Sequence, residues 1–262
     1  RTSPTAAVQP GRCVVVGAGL AGASAAFSLA QRGWQVTVLD RAAAPAAGAS
    51  GLPAGVVAPH VSPDDRPLSR LSRAGVQATL ARAALLLRPG IDYAVCGVLE
   101  RPEPGKRRLP QAWQAADHGE ATRAQSLDAS HPLTQERARM AGLPVDEAHP
   151  ALWHAQAGWV RSAALVRAML QAPGIHWRGG VIVARIERSG AHWRLLDGAG
   201  TCLAQADLLV LAAGFDTLAL LGTPLPLNPL RGQVAFGPMP GGAANAALPP
   251  FPVNGHGSLV AH

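Results

Sequence analysis

Gly17, Gly19 and Gly22, followed by Asp40, are the residues of this chain whose types and spacing could do chemistry. Backbone N–H groups at a glycine turn can cradle a pyrophosphate. A carboxylate about 20 residues further on can accept hydrogen bonds from both hydroxyls of a ribose. Gly17 allows the tight turn, Gly19 lets the backbone approach the phosphates, and Gly22 lets the following helix pack closely. Asp40 would repel a 2′-phosphate, which disfavours NADP. A glycine turn that serves packing alone is the competing reading; the strand, helix and Asp40 in register favour dinucleotide binding.

The elements that must position these residues are legible around them. Arg12–Val16 reads as a buried parallel strand and Leu20–Arg32 as a helix, with Leu20, Ala23, Phe27 and Ala30 on one face. The free N–H groups and partial positive charge of that helix's N-terminus suit an anion. Gln35–Leu39 is a second strand ending at Asp40. A small-residue loop runs from Ala42 to Gly55, and Asp64-Asp65 is expected to cap a helix over Pro67–Leu87. That helix would place Leu68, Leu71, Leu80, Ala84 and Leu87 on its apolar face. Tyr93–Arg101 alternates like a strand, and residues 102–150 are polar and Pro-rich, with short helical pieces at most. Gly158-Trp159-Val160 reads as a strand, Ser162 as the N-cap of a helix with Ala164–Leu170 as its body. Ile175–Trp177, Val181–Glu187, His192–Leu196 and Cys202–Ala204 read as short strands with turns at Ser189-Gly190 and Asp197-Gly198. Asp207–Leu211 is expected to be a strongly buried strand ending in Ala212-Ala213-Gly214, and Asn228–Gly237 one more strand before a loop to Pro252.

Composition bounds the function classes. The 262 residues suffice for one large domain or two interleaved ones. The formal charge of +7 is almost entirely arginine, since Lys106 is the single lysine. That balance has two readings, a codon bias or attraction to a polyanion such as RNA. The densest basic cluster, Lys106-Arg107-Arg108 beside Arg101, reads as a solvated loop. Cys13, Cys96 and Cys202 are odd in number and far apart, which argues against disulfides and zinc and for a reducing cytoplasm. No histidine spacing suggests a metal; His60, His154 and His256 read as ordinary surface or loop residues. Glycine and proline interrupt every long apolar stretch, so no membrane span is expected, and no signal-peptide pattern is visible. The start at Arg1 suggests a segment of a longer protein.

Four segments together carry a family resemblance: Val14–Gly22 with Asp40, Gly48-Ala49-Ser50-Gly51, Leu209–Gly214, and Pro229-Leu230-Arg231-Gly232-Gln233. As a set they resemble the D-amino-acid oxidase/glycine oxidase class of FAD enzymes. Gly48–Gly51 with Gly55 and Pro59, Cys96-Gly97-Val98 and Gly158-Trp159 are similar to the flavin domain of a bifunctional family of tRNA wobble-uridine-modifying proteins. The resemblance implies an α/β chain, α+β overall, in which a Rossmann-like FAD-binding domain (1–66 and 151–222) is interleaved with a mixed-sheet substrate domain (67–150 and 223–262). It implies FAD as cofactor, with Gly17, Ala18, Gly19, Leu20, Ala21 and Gly22 at the pyrophosphate, Asp40 at the ribose and Arg41 beside the adenosine. Ala49, Ser50 and Gly55 would lie along the ribityl chain and flavin, Val183 would meet adenine through its backbone, and Ala212, Ala213 and Gly214 would end a strand under the cofactor. The class closes its flavin site with a C-terminal glycine-rich segment, which by this resemblance would be expected beyond His262, and Leu52-Pro53 stands where the tRNA-modifying family carries polar residues.

The activity this resemblance implies is oxidative removal of the carboxymethyl group from a carboxymethylaminomethyl wobble uridine of tRNA, with release of glyoxylate. A methyltransferase domain in the same longer polypeptide would act on the product. Such a reaction asks for placement and a cation rather than an acid–base constellation. Arg231 is open to two readings, a clamp for the substrate carboxylate or a support at the start of a strand. The competing functions are a small-molecule oxidase acting on glycine, sarcosine or a D-amino acid, an NAD-dependent dehydrogenase, and a non-catalytic basic nucleic-acid-binding module. With aromatic residues only 4% of the chain, the last would have a poor stacking surface.

Overall fold

The structure is a computed structural model that describes residues 9–101, 109, 129–132, 134–140, 151–238, 248–255 and 257–261. His256, the Lys106–Arg108 cluster and most of 102–150 lie outside the described residues. The chain divides into two compact units, Arg1–Leu52 with Ser162–Val234 and Pro53–Arg161 with Ala235–His262. These cuts differ from those drawn on the sequence. Gly55–Val57 pairs with Gly158–Val160, which draws 53–66 and 151–161 into the second unit.

The first unit is built on a four-stranded parallel sheet. Its strands are β1 (Arg12–Val16), β2 (Gln35–Leu39), β9 (Ile175–Arg178) and β13 (Leu208–Leu211), in the order β13-β1-β2-β9. Between β1 and β2 the chain crosses over as helix α1 (Leu20–Ala30), which buries Gly22, Ala23, Ala26 and Phe27. Covered on both faces, β1 can be apolar at every position after the exposed Arg12, and Cys13, Val14, Val15 and Val16 are all buried. Burial pushes the Cys13 thiol up to about 11, which suits a packing residue rather than a nucleophile. β13 is only half-buried, contrary to the sequence expectation, because as an edge strand it has β1 on one side alone. A three-stranded antiparallel sheet of β10 (Arg185–Ser189), β11 (His192–Leu196) and β12 (Cys202–Ala206) follows. Its hairpin turns at Gly190, φ +57°. The Asp197 carboxylate closes the next turn by accepting from Ala199 and Thr201 N–H. Val14, Val16, Leu39, Leu195 and Ala206 form a core that joins the two sheets. Helix α4 (Ser162–Leu170) buries Leu165, Val166 and Met169, and the last regular element of this unit among the described residues is the short helix α5 (Thr217–Leu221).

Asp207 ties this unit together at the strand starts. Its carboxylate accepts from Arg12 N–H at 2.7 Å and meets His192 Nδ1 at 2.7 Å. The Arg12 amide first, and the His192 ring second, hold the carboxyl below its usual range. A depressed folded-state pKa stabilises above the unfolded value, about 3.9, and that contribution disappears as pH falls through the folded value. Asp207→Asn is therefore expected to melt below the unaltered protein at pH 6, with the gap closing as acid protonates Asp207. Melting curves across pH 2–6 check this, and a gap that persists at pH 2 would refute the assignment.

In the second unit, β3 (Gly55–Val57), β8 (Gly158–Val160) and β4 (Tyr93–Ala94) form one antiparallel sheet in the order β3-β8-β4. The other sheet is β14-β5-β7-β6, made of β5 (Val98–Glu100), β6 (Ser130–Pro132), β7 (Leu152–His154) and β14 (Val253–Asn254). The single strand expected over 93–101 is thus two strands in two sheets. Gly97 separates them with φ +78°, and a Cβ there would enter the Trp153 ring. Trp153 packs edge-to-face on Phe251, centroids 4.9 Å apart. Helix α2 (Pro67–Leu86) follows the expected span but not the expected face. Leu68 and Leu71 are exposed, while Ser69, Leu80 and Ala83 are buried. Ser69 tolerates burial because its hydroxyl meets Ser62 Oγ at 2.8 Å and His60 Nδ1 at 3.0 Å. Arg66 stands at the N-cap, and the two acidic residues make ion pairs instead of capping, Asp64 with Arg66 and Asp65 with Arg73. A short helix α3 (Gln135–Met140) completes the described elements there. No helix among the described residues is long and apolar enough to cross a membrane.

Candidate functional site

At the carboxyl ends of β1, β2 and β13, the first unit gathers most of the residues picked out in the sequence. β1 runs into Gly17, whose φ of +106° is closed to other residue types. The Gly17 N–H donates to Leu39 C=O at 2.8 Å, and a Cβ at Gly17 would strike the Ala212 carbonyl. The turn therefore lies flat between the ends of β2 and β13. Gly22, one turn into α1, faces Gly17 so closely that a Cβ would overlap the Gly17 carbonyl oxygen. Internal packing thus demands two of the three glycines.

Gly19 is different. Its φ of −83° and ψ of −173° suit any residue, and the nearest atom to a Cβ there would be Ser50 Oγ at 3.0 Å. No backbone atom crowds the space beside Gly19, as a turn that admits a ligand to its backbone requires. The helix N-terminus points there too. Leu20 N–H donates to Ser50 Oγ at 2.9 Å, a cap supplied across 30 residues by the loop after β2. Gly19, Ala21 and Gly22 N–H find no acceptor among the described residues. Having accepted from Leu20, the Ser50 hydroxyl keeps a proton to donate. The arrangement offers an anion three backbone donors, one hydroxyl and the positive end of an 11-residue helix.

The loop after β2 folds back onto this turn. Asp40 accepts from Ala18 N–H at 2.6 Å through Oδ2 and from Ala42 N–H at 2.8 Å through Oδ1. Each carboxylate oxygen retains capacity for one further donor, as a ribose diol requires. Ala46, at φ +60°, donates its N–H to Ala18 C=O at 3.0 Å, and the short 3₁₀ turn Ala49–Gly51 then presents Ser50. Ala49 is exposed and Ser50 half-buried. On the other side, Ala212 N–H donates to Val16 C=O at 2.8 Å; Ala213 packs on the core, and Gly214 turns at φ +61° into the 3₁₀ turn Gly214–Asp216.

Some expected residues lie elsewhere or behave differently. Val183 precedes β10 rather than sitting in it; its half-buried side chain packs on the core, and its backbone has no partner among the described residues. Gly55 belongs to β3 of the second unit. Arg231 is exposed in a stretch, 222–238, that holds no regular element, so the strand expected over Asn228–Gly237 is absent there. Leu230 and Phe236 in that stretch are 94% and 79% exposed. A strand needs a partner for its backbone groups, and none reaches this segment among the described residues.

Sequence reasoning missed a buried polar line in the second unit. His154, read as an ordinary surface or loop residue, is 0% exposed on β7. Its Nε2 meets Glu100 Oε2 on β5 at 2.7 Å, and its Nδ1 meets Ser130 Oγ on β6 at 2.9 Å. Bonded to a carboxylate, Nε2 carries a proton in either charge state. Nδ1 accepts from the serine when the ring is neutral and donates to it when charged. Ser130 is fully buried, so this line positions strands and does not attack substrates. No group of three or more metal-ligating side chains occurs among the described residues.

A parallel sheet with a glycine turn, a capped helix N-terminus and an acidic residue at the next strand end defines a dinucleotide-binding α/β protein, and the open backbone at Gly19 with the divided carboxylate of Asp40 fits FAD. The family profile described as FAD dependent oxidoreductase (DAO) matches residues 12–261, and the chain belongs to that family, with FAD as its cofactor. It is 51% identical over 258 residues to the tRNA 5-methylaminomethyl-2-thiouridine biosynthesis bifunctional protein MnmC of Polaromonas naphthalenivorans, covering 96% of this chain and 40% of that protein. The protein of the same name from Paracidovorax citrulli is 53% identical over 259 residues, covering 97% and 39%. The chain thus spans about two fifths of the length of these curated relatives. Among solved structures, glycine oxidase from Geobacillus kaustophilus shares the fold, with a TM-score of 0.61 and 21% identity over 94% of this chain and 66% of that one.

Proposed function

We propose that this chain is the flavin-dependent part of a tRNA-modifying enzyme, which oxidatively removes the carboxymethyl group from a carboxymethylaminomethyl wobble uridine. The observation that carries this reading is identity of about half, over nearly the whole chain, to proteins named for tRNA 5-methylaminomethyl-2-thiouridine biosynthesis. The first unit would hold FAD and the second would contribute to the substrate side. In this reading Gly19, Ala21 and Gly22 N–H and the Ser50 hydroxyl receive the pyrophosphate, and Asp40 receives the ribose diol. The Val183 backbone serves adenine, and Ala212–Gly214 form the floor. FAD supplies a two-electron acceptor for the C–H bond beside the secondary amine. The resulting substrate imine takes up water and separates into glyoxylate and the aminomethyl uridine, so that atoms and electrons balance. The arginine-rich charge suits a polyanion such as tRNA. The word bifunctional in the relatives' name, and their greater length, support a second activity in the same polypeptide, which we read as a methyltransferase domain, and action on tRNA would place the protein in the cytoplasm.

The test uses the complete polypeptide with FAD bound, without oxygen. Undermodified tRNA is expected to bleach the flavin and release one glyoxylate per uridine, while glycine, sarcosine and D-alanine leave it yellow. Bleaching by a free amino acid and not by tRNA would replace this reading with a small-molecule amine oxidase, which the glycine oxidase fold also accommodates.

A further inference from the structure

Arg41 and Asp216 form an ion pair, Nη1 to Oδ2 at 2.7 Å, with side chains 72% and 51% exposed. A pair so open to water adds little to stability. Its attachment points are what give it a role. Arg41 follows β2, and Asp216 closes the 3₁₀ turn after β13. β2 and β13 flank β1 on its two sides, and both are bonded to it at their carboxyl ends. The pair therefore bridges across the end of β1, where the glycine turn begins.

We propose that Arg41 and Asp216 form a strap across the phosphate–adenosine end of the dinucleotide that slows its departure. The proposal rests on the FAD reading of the turn. The charges make such a strap workable. A lone carboxylate at 216, added to Asp40, would repel a pyrophosphate, and a lone arginine would swing free in solvent. Joined, the two cancel. A guanidinium engaged through Nη1 also keeps Nε–H and Nη2 donors for a phosphate oxygen. Asp216 is then a positioning residue for Arg41, acting through it and not on the cofactor.

The experiment measures FAD release from the holoprotein by the recovery of free flavin fluorescence after dilution. Arg41→Ala and Asp216→Ala are each expected to release FAD about two- to five-fold faster, the range open to an exposed pair. The melting temperature of the FAD-free protein should stay unchanged in both variants, and the association rate in Asp216→Ala, which separates a strap from a structural brace. The exchanged pair Arg41→Asp with Asp216→Arg should recover slow release. Raising salt from 0.05 to 0.5 M should speed release from the unaltered protein towards that of the variants. Equal release rates for the unaltered protein and Asp216→Ala would overturn the strap while leaving the cofactor site standing. Failure of the unaltered protein to bind FAD at all would overturn both.

Discussion

Replacing His154 by alanine is expected to cost the second unit on the order of 3–5 kcal/mol, since it removes two buried hydrogen bonds, one to Glu100 and one to Ser130, at about 1–3 kcal/mol each and leaves a cavity. The ring has no exposure, Glu100 is 5% exposed and Ser130 has none, so water cannot take the place of the lost bonds. The loss should appear locally, as faster hydrogen exchange at the amides of β5, β6 and β7, while β1 and β2 keep their protection. Glu100→Gln keeps size and one acceptor and is expected to cost less than His154→Ala. The triple replacement Glu100→Leu, His154→Phe, Ser130→Ala removes every polar group of the line together. Because an apolar set of similar volume often matches a buried pair, it should recover much of the loss. A His154→Ala protein whose β5–β7 amides exchange as in the unaltered protein would show that the line carries no stability.

That buried line marks the boundary of what the sequence could say. Its members lie 54 and 24 residues from His154, on strands of three residues each, and no periodicity connects them. A three-residue strand holds one full alternation, too short to tell an inward histidine from an outward one. The glycine turn was legible for the opposite reason. Its strand, turn, helix and second strand are consecutive, and local geometry already requires glycine at both ends, through the positive φ of Gly17 and the contact of Gly22 with the Gly17 carbonyl. Asp40 was legible from its spacing after the turn and Ser50 through the family resemblance, but the use of Ser50 as a cap for α1 was not, since a cap supplied 30 residues away leaves no local signal. Helix α2 shows a further limit. Its apolar period gave the span correctly, yet the buried stripe includes Ser69, because three hydroxyl and imidazole groups satisfy one another there. Period reports that a face exists; burial also depends on which polar groups can find partners. Asn228–Gly237 has the composition of a strand and no regular structure, since strand propensity is expressed only against a neighbouring backbone. Asp216 gave no sign in the sequence, and only the parallel order of β13, β1 and β2 brings it to Arg41.

The three glycines should separate into two kinds when each is replaced by alanine. Gly17→Ala places a side chain at φ +106° and against the Ala212 carbonyl, and Gly22→Ala drives a methyl group into the Gly17 carbonyl. In both cases the obstacle is backbone, which cannot rotate away, so each is expected to destabilise the FAD-free first unit by about 2–4 kcal/mol. Gly19→Ala meets only the Ser50 hydroxyl, a side chain able to give by a few tenths of an ångström, from a backbone conformation open to all residues. Its FAD-free protein should melt within about a degree of the unaltered one. Its FAD affinity should nevertheless fall on the order of 10–100-fold, because the new methyl group occupies the space through which phosphate reaches the Gly19 and Ala21 amides. Thermal melting without FAD and titration with FAD, run on the same three variants, read the two effects separately. A Gly19→Ala protein that binds FAD as tightly as the unaltered one would move the pyrophosphate away from this turn. A Gly22→Ala protein as stable as the unaltered one would mean that α1 can shift from β1 at no cost, contrary to the contact between Gly22 and the Gly17 carbonyl. The pattern expected, stability lost at 17 and 22 and affinity lost at 19, follows from one geometric fact. Backbone fills the space beside two of these glycines, whereas only the Ser50 side chain stands beside the third.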